Sequence, residues 1–292
     1  MSPLISVADL HKRLSGGARV SLVDVRWRLD LPEGRPAYLS GHLPGAVYVD
    51  LETELARRGH PEEGRHPRPA HRDLERAAIR WGVRRGDLVV VYDDNDSVAA
   101  ARAWWLLRRT GLEVRVLDGG LRAWIAAGHL LDTGDVAPPR GDATLRDVDP
   151  GELPIDEAAT LPSRGVLVDV RSPERYRGAH AGADPTAGHI PGAVSLPAVT
   201  HIRPDGTLRT PAEILTAFAR IGARPGREIG LYCASGVASA HSALALATAG
   251  IEARVFSGSW SRWVQSPGRP IAVGPTPAGR VVGHLRSSAL AR

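Results

Sequence analysis

Sulfur is almost absent from this chain. Among 292 residues there is one cysteine, Cys233, and one methionine. A single thiol excludes any disulfide within the chain and fits a reducing compartment. Lysine is nearly missing as well. Lys12 is the only one, so the 37 basic residues that outweigh 32 acidic ones, for a net charge of +5, are almost all arginine. The arginines are scattered among acids rather than gathered into a stripe, which argues against a nucleic-acid surface. A small anionic substrate needs only one or two of them. No uninterrupted apolar run approaches membrane-spanning length. Met1 to Ser6 lacks the basic region and apolar core of a signal peptide. The expected location is therefore the cytoplasm, with neither nucleic acid nor membrane as partner. The hydrophobic content of 43% and charged content of 24% are ordinary, so the chain can bury a core without staples. Its length suggests two domains or one large one.

The chain repeats itself. Leu22-Val23-Asp24-Val25-Arg26 returns as Leu167-Val168-Asp169-Val170-Arg171, and Gly41-His42-Leu43-Pro44-Gly45-Ala46 returns as Gly188-His189-Ile190-Pro191-Gly192-Ala193. Val89–Tyr92 aligns with Ile229–Tyr232, and Val116–Trp124 with Val255–Trp263. Four blocks in one order, 139 to 147 residues apart, indicate two copies of one domain rather than a short solenoid repeat. Each copy alternates short apolar runs (Val20–Val25, Leu88–Tyr92, Val114–Leu117; Val166–Val170, Ile229–Tyr232, Ala253–Phe256) with helical patterns such as Ser97–Arg109, Leu121–Ala127 and Ala240–Ala249. This alternation predicts an α/β fold in which each domain has a mainly parallel sheet covered by helices on both faces. The expected division is 1–135, a linker at 136–150 rich in proline, glycine and charge, a second domain at 151–273, and a flexible tail at 274–292.

Cys233 ends an apolar run and opens a loop of small residues, Ala234-Ser235-Gly236-Val237-Ala238-Ser239, ahead of a helix. Strand, small-residue loop and helix start point several backbone N–H groups into one concavity. The positive end of the helix favours a thiolate there, and Cys233 is expected to be ionised and accessible. The first copy has Asp93 where the second has Cys233, so only the second loop carries a thiol. Two rival chemistries are poorly served. A cysteine phosphatase needs an arginine six residues after the cysteine, and position 239 is Ser239. One cysteine and scattered histidines offer no metal cluster.

These motifs resemble the two-domain rhodanese family, the thiosulfate and mercaptopyruvate sulfurtransferases. The resemblance covers roughly residues 5 to 273. It implies two tandem rhodanese-like domains, the first non-catalytic, and a two-step transfer through a Cys233 persulfide without cofactor or metal. Sulfur would pass from a small anionic donor to a thiophilic acceptor such as cyanide, a thiol or thioredoxin. The alternative is a non-catalytic rhodanese-like module that binds a partner or relays sulfur. Thiosulfate-preferring members carry basic side chains directly after the cysteine. Mercaptopyruvate-preferring members carry Cys-Gly-Ser-Gly-Val-Thr. Cys233-Ala234-Ser235-Gly236-Val237-Ala238 is closer to the second type, with Ala234 and Ala238 as departures. The resemblance further implies a relay from Ser235 to a first-domain histidine and acid, here His66 and Glu52, with His60 competing for the histidine. It implies donor binding by Arg175 and the loop amides of residues 234–239, and a buried ion pair at Arg171 that supports the loop. The second donor-binding arginine of the mercaptopyruvate type has no counterpart in Gly178–Asp184, where His180 is the nearest substitute. His42 and His189, present in both copies, are expected to be structural. Trp124, Trp260 and Trp263 are expected either at the sheet edge near the site mouth or packed in the core.

Overall fold

The computed structural model describes residues 2–282. The first domain holds one five-stranded sheet: β1 (Leu4–Ile5), β2 (Val20–Asp24), β3 (Val47–Tyr48), β4 (Leu88–Tyr92) and β5 (Glu113–Leu117), in the order β1-β5-β4-β2-β3. All its pairings are parallel. The second domain repeats the plan with β6 (Val166–Asp169), β7 (Val194–Ser195), β8 (Ile229–Tyr232) and β9 (Arg254–Val255), in the order β7-β6-β8-β9 and again all parallel. Every residue of β4, β6 and β8 is buried, which is why these strands read as unbroken apolar runs rather than alternating ones. The two-residue β1 carries too little pattern to stand out in the sequence. Its counterpart in the second domain shrinks to a single bridge, Glu152 to Val255.

The halves meet through the helices that follow β4 and β8. Val98–Leu107 packs along Val237–Thr248. Both are nearly uniform in apolar residues, with alanines at 99, 100, 101 and 103 facing a partner that carries alanines at 240, 243 and 245. Small side chains allow close approach, and a helix apolar all round can be buried all round. One apolar core consequently runs through both domains, from Val23 and Val91 to Leu231 and Val255. The helix after Cys233 starts at Val237, three residues before the sequence pattern suggests. Val237, Ala238 and Ser239 therefore form its first turn, where N–H groups have no partner within the helix.

Two segments differ from expectation. The linker has no regular structure but is tied down: Gly141 donates to Ile79, Asp142 and Ala143 donate to Val83, and Arg146 donates to Thr110. Ala143 and Leu145 are buried in the shared core. Beyond residue 273 the chain turns back, and β11 (Arg280–Val282) pairs antiparallel with β10 (Ile271–Val273). The expected flexible tail thus contributes a strand as far as residue 282, and its remainder lies outside the described residues. No helix among the described residues is long and apolar enough to cross a membrane.

Candidate active site

The duplication provides an internal control for the loop after β8. In the first domain the corresponding loop is filled by its own side chain. The Asp93 carboxylate accepts four backbone N–H bonds, from Asn95 and Ser97 at 2.9 Å each, Ala99 at 2.8 Å and Ala100 at 2.9 Å. This loop geometry is therefore a cradle for an anion. Burial pushes the Asp93 carboxyl up to about 6 even so, against the pull of those amides. One repeat of 140 residues on, the same places are taken by Ser235, Val237, Ser239 and Ala240, and Asp93 is replaced by Cys233. The mirror extends to the next helix: Leu121 donates to the Asp93 carbonyl and Trp260 to that of Cys233.

Cys233 Sγ accepts from the Gly236 N–H at 3.1 Å, and the hydroxyls of Ser239 and Ser259 approach it at 3.6 and 3.8 Å. The expectation of an accessible thiol is corrected here. Cys233 is 3% exposed, because its loop is packed between first-domain side chains and the Ser259 turn. Ala234 and Ala238 are the only partly exposed residues from 233 to 239.

The first domain reaches this loop through a hydrogen-bonded chain. Ser235 Oγ lies 2.8 Å from His66 Nδ1, and His66 Nε2 lies 3.0 Å from Glu52 Oε1. A carboxylate only accepts, so Nε2 carries the proton and Nδ1 is left to accept from Ser235. Glu52 also accepts from Trp27 Nε1 at 2.8 Å, and the bond to His66 holds its carboxyl below the usual carboxylate range. Ser235 turns its hydroxyl to His66, while the hydroxyls against Sγ are those of Ser239 and Ser259. His60 is exposed and belongs to a separate turn at Pro61–Glu63.

Arg171 is buried on Asp169 at 2.6 Å, and the same nitrogen donates to Gly188 O at 2.6 Å. Burial opposes its charge, but Asp169 prevails and raises its pKa. The pair pins the turn before His189, as Asp24 and Arg26 pin the turn before His42 in the first domain. Arg175 is half-buried and has no ion pair among the described residues. Its guanidinium rests against Gly182, where a Cβ would lie 2.5 Å from Nη2. His180, exposed, accepts from the Gly182 N–H at 3.0 Å. The segment without an arginine of its own receives one from across the domain boundary: Arg65, next to His66, pairs with buried Asp184. His42 and His189 are buried and bond backbone carbonyls, stacked on Tyr38 and Tyr176. Trp124, Trp260 and Trp263 are core residues, at most 2% exposed, rather than at a mouth. All three lie on the buried faces of the helices Gly120–Ala126 and Ser259–Gln265.

Sequence reasoning missed Trp27 and Ser259. Both stand where the two copies differ: Trp27 faces Ser172 in the alignment, and Ser259 replaces Gly120. Ser259 keeps the left-handed backbone of that glycine, with φ 54° against 55°. Non-glycine residues adopt such a conformation at a cost. Its Oγ accepts from the Cys233 N–H at 3.1 Å and donates to Phe256 O at 2.8 Å.

A paired, all-parallel domain with an anion cradle and a thiol at the second cradle defines a sulfur-handling class. The rhodanese-like domain family matches residues 6–127 and 155–266, and the chain belongs to that family. It is similar to a putative thiosulfate sulfurtransferase of Mycobacterium tuberculosis, 43% identical over 93% of this chain and 97% of that one. It is also similar to a probable 3-mercaptopyruvate sulfurtransferase of Pseudomonas aeruginosa, 38% identical over 93% of this chain and 98% of the relative. Among solved structures, the 3-mercaptopyruvate sulfurtransferase from Leishmania major superposes with a TM-score of 0.80 at 25% identity, covering 90% of this chain and 74% of that one.

Proposed function

We propose that this chain is a sulfurtransferase that moves sulfane sulfur through a persulfide on Cys233, with 3-mercaptopyruvate favoured over thiosulfate as donor. The observation that carries the reading is the Ser235–His66–Glu52 chain, which brings an acid–base group of one domain to the thiol loop of the other. The Cys233 thiolate attacks the donor sulfur, and an S–S bond forms as the donor's bond to that sulfur breaks. With mercaptopyruvate the electron pair leaves on carbon as the enolate of pyruvate, which needs a proton. With thiosulfate it leaves as sulfite, which does not. Ser235 gives its hydroxyl proton to the enolate and is reprotonated through His66 by the proton that Cys233 released on ionising, with Glu52 holding the imidazolium in between. An acceptor nucleophile, a thiol or cyanide, then attacks the outer sulfur and restores the thiolate.

The relatives' names divide between the two donors, so the loop is what favours one. It carries no basic side chain to neutralise a doubly charged thiosulfate, and its two departures, Ala234 and Ala238, are the residues turned partly outward. Arg175, free of any carboxylate among the described residues, offers a fork to the donor's carboxylate. The loop amides hold the persulfide as their counterparts hold Asp93. The first domain is a scaffold that supplies the relay. Mass spectrometry of donor-treated protein is expected to show one added sulfur on the Cys233 peptide and none in Cys233→Ser. An unloaded wild-type peptide favours the binding module instead. A tenfold higher kcat/KM for thiosulfate overturns the donor assignment.

A further inference from the structure

Arg102 lies in the middle of the alanine-rich helix between the two domains and is completely buried. Its guanidinium donates to three backbone carbonyls: His66 O at 3.0 Å, Gly236 O at 3.4 Å and Leu55 O at 3.4 Å. Each belongs to a different part of the site. His66 is the relay histidine, Gly236 gives its N–H to Cys233 Sγ, and Leu55 caps the short helix that carries Glu52. Among the described residues Arg102 has no carboxylate within ion-pair distance. The charged groups that bear on it are Glu152, Arg68 and Cys233, and Glu152 and Arg68 already pair with each other at 3.2 Å. Burial draws its pKa down only to about 10, so it is charged at neutral pH. A fully buried, unpaired cation is costly unless an anion answers it.

We propose that Arg102 is a positioning residue that ties the thiol loop, His66 and the Glu52 helix into one unit and places a buried positive charge behind the loop whose Gly236 N–H holds Cys233 Sγ. This rests on the reading of Cys233 as the nucleophile. The duplication supports it independently. The positions corresponding to Arg102 on the helix after Cys233 are His241 and Ser242, buried and carrying no cationic fork. His241 faces the backbone of Asp96 in the first loop, the counterpart of Gly236. Each helix therefore addresses the other domain's loop, but only the loop that ends in a thiol receives an arginine. The first loop shows what the charge is for. Without a cation, an anion in that cradle is disfavoured by burial, as Asp93 is.

The test uses Arg102→Met and Arg102→Lys in the full chain, with Cys233 as the only thiol. The rate of iodoacetamide alkylation is followed against pH without donor, and sulfur loading is followed by mass. For Arg102→Met the alkylation profile is expected to move to higher pH, with the rate at pH 7 lowered about tenfold. Arg102→Lys is expected to keep most of the alkylation profile but load sulfur more slowly, because an ammonium cannot span three carbonyls. A Met profile that superimposes on wild type overturns the charge role. A Lys variant that loads sulfur at the wild-type rate overturns the tying role. If Arg102→Met does not fold, Arg102→Gln takes its place, and a Gln profile that superimposes on wild type overturns the charge role. A profile that moves in the Arg102 variants, in a protein whose wild type takes no sulfur from either donor, refutes the sulfurtransferase reading while leaving the charge role standing.

Discussion

His201 and His241 give the chain a calculable acid sensitivity. Both are fully buried, with ring centroids 6.2 Å apart. None of their four ring nitrogens has a hydrogen-bond partner among the described residues. Burial, and for His201 also the neighbouring His241, pushes His201 down to about 3, and burial pushes His241 down to about 4. An unfolded histidine titrates near 6.5. Between these values the unfolded chain binds protons that the folded chain refuses, so stability falls with pH through this window. From pH 7 to pH 5 each histidine costs about 2 kcal/mol, about 4 kcal/mol for the pair. Asp93 acts in the opposite direction. Its folded-state value of about 6 exceeds the unfolded one, so protonation on acidification offsets about 1 kcal/mol. Burial raises Glu152 and Asp118 as well, so they offset in the same direction as Asp93, and the loss assigned to the two histidines, about 4 kcal/mol, is the part the double variant isolates. Urea unfolding at pH 7, 6 and 5 and constant ionic strength measures this. The double variant His201→Leu/His241→Leu removes two rings without a well-formed hydrogen bond, His241 only facing the Asp96 backbone, so its stability at pH 7 is expected to change little. Below pH 7 it is expected to lose none of the histidine contribution. A double variant whose urea midpoint falls with pH as steeply as wild type refutes the reasoning.

Other outcomes follow from the site. His66→Ala is expected to lower kcat with mercaptopyruvate by about 10²–10³ and to leave thiosulfate turnover within about threefold, because sulfite leaves without a proton; equal losses with both donors would show that His66 acts by holding the loop. Ser259→Ala keeps the left-handed backbone and strands the Cys233 N–H, whereas Ser259→Gly strands the N–H but relieves the backbone. Thermal melts are expected to place the Ala variant about 1 kcal/mol below the Gly variant, and the reverse order would mean that φ at 259 carries no strain.

What could be read in advance, and what could not, follows the physics of the repeat. Strands β4, β6 and β8 are buried on both faces and announce themselves as apolar runs. β1 has two residues, and its short pattern disappears next to them. The Cys233 loop was legible because strand, small residues and helix start are contiguous in sequence. His66 and Glu52 were nameable only through the resemblance, since 169 residues separate His66 from the Ser235 it meets, and no local pattern encodes a contact across a domain boundary. The burial of Cys233 was illegible for the same reason: it is produced by the other domain. Arg102 hid inside an alanine-rich helix that reads as core, and Ser259 hid inside a family motif. Comparing the two copies position by position would have exposed both. Both halves keep the central parallel strands and the loop that follows them. Differences at paired positions, Asp93 against Cys233, Gly120 against Ser259 and Arg102 against His241 and Ser242, are then the places where the two halves depart from each other in chemistry.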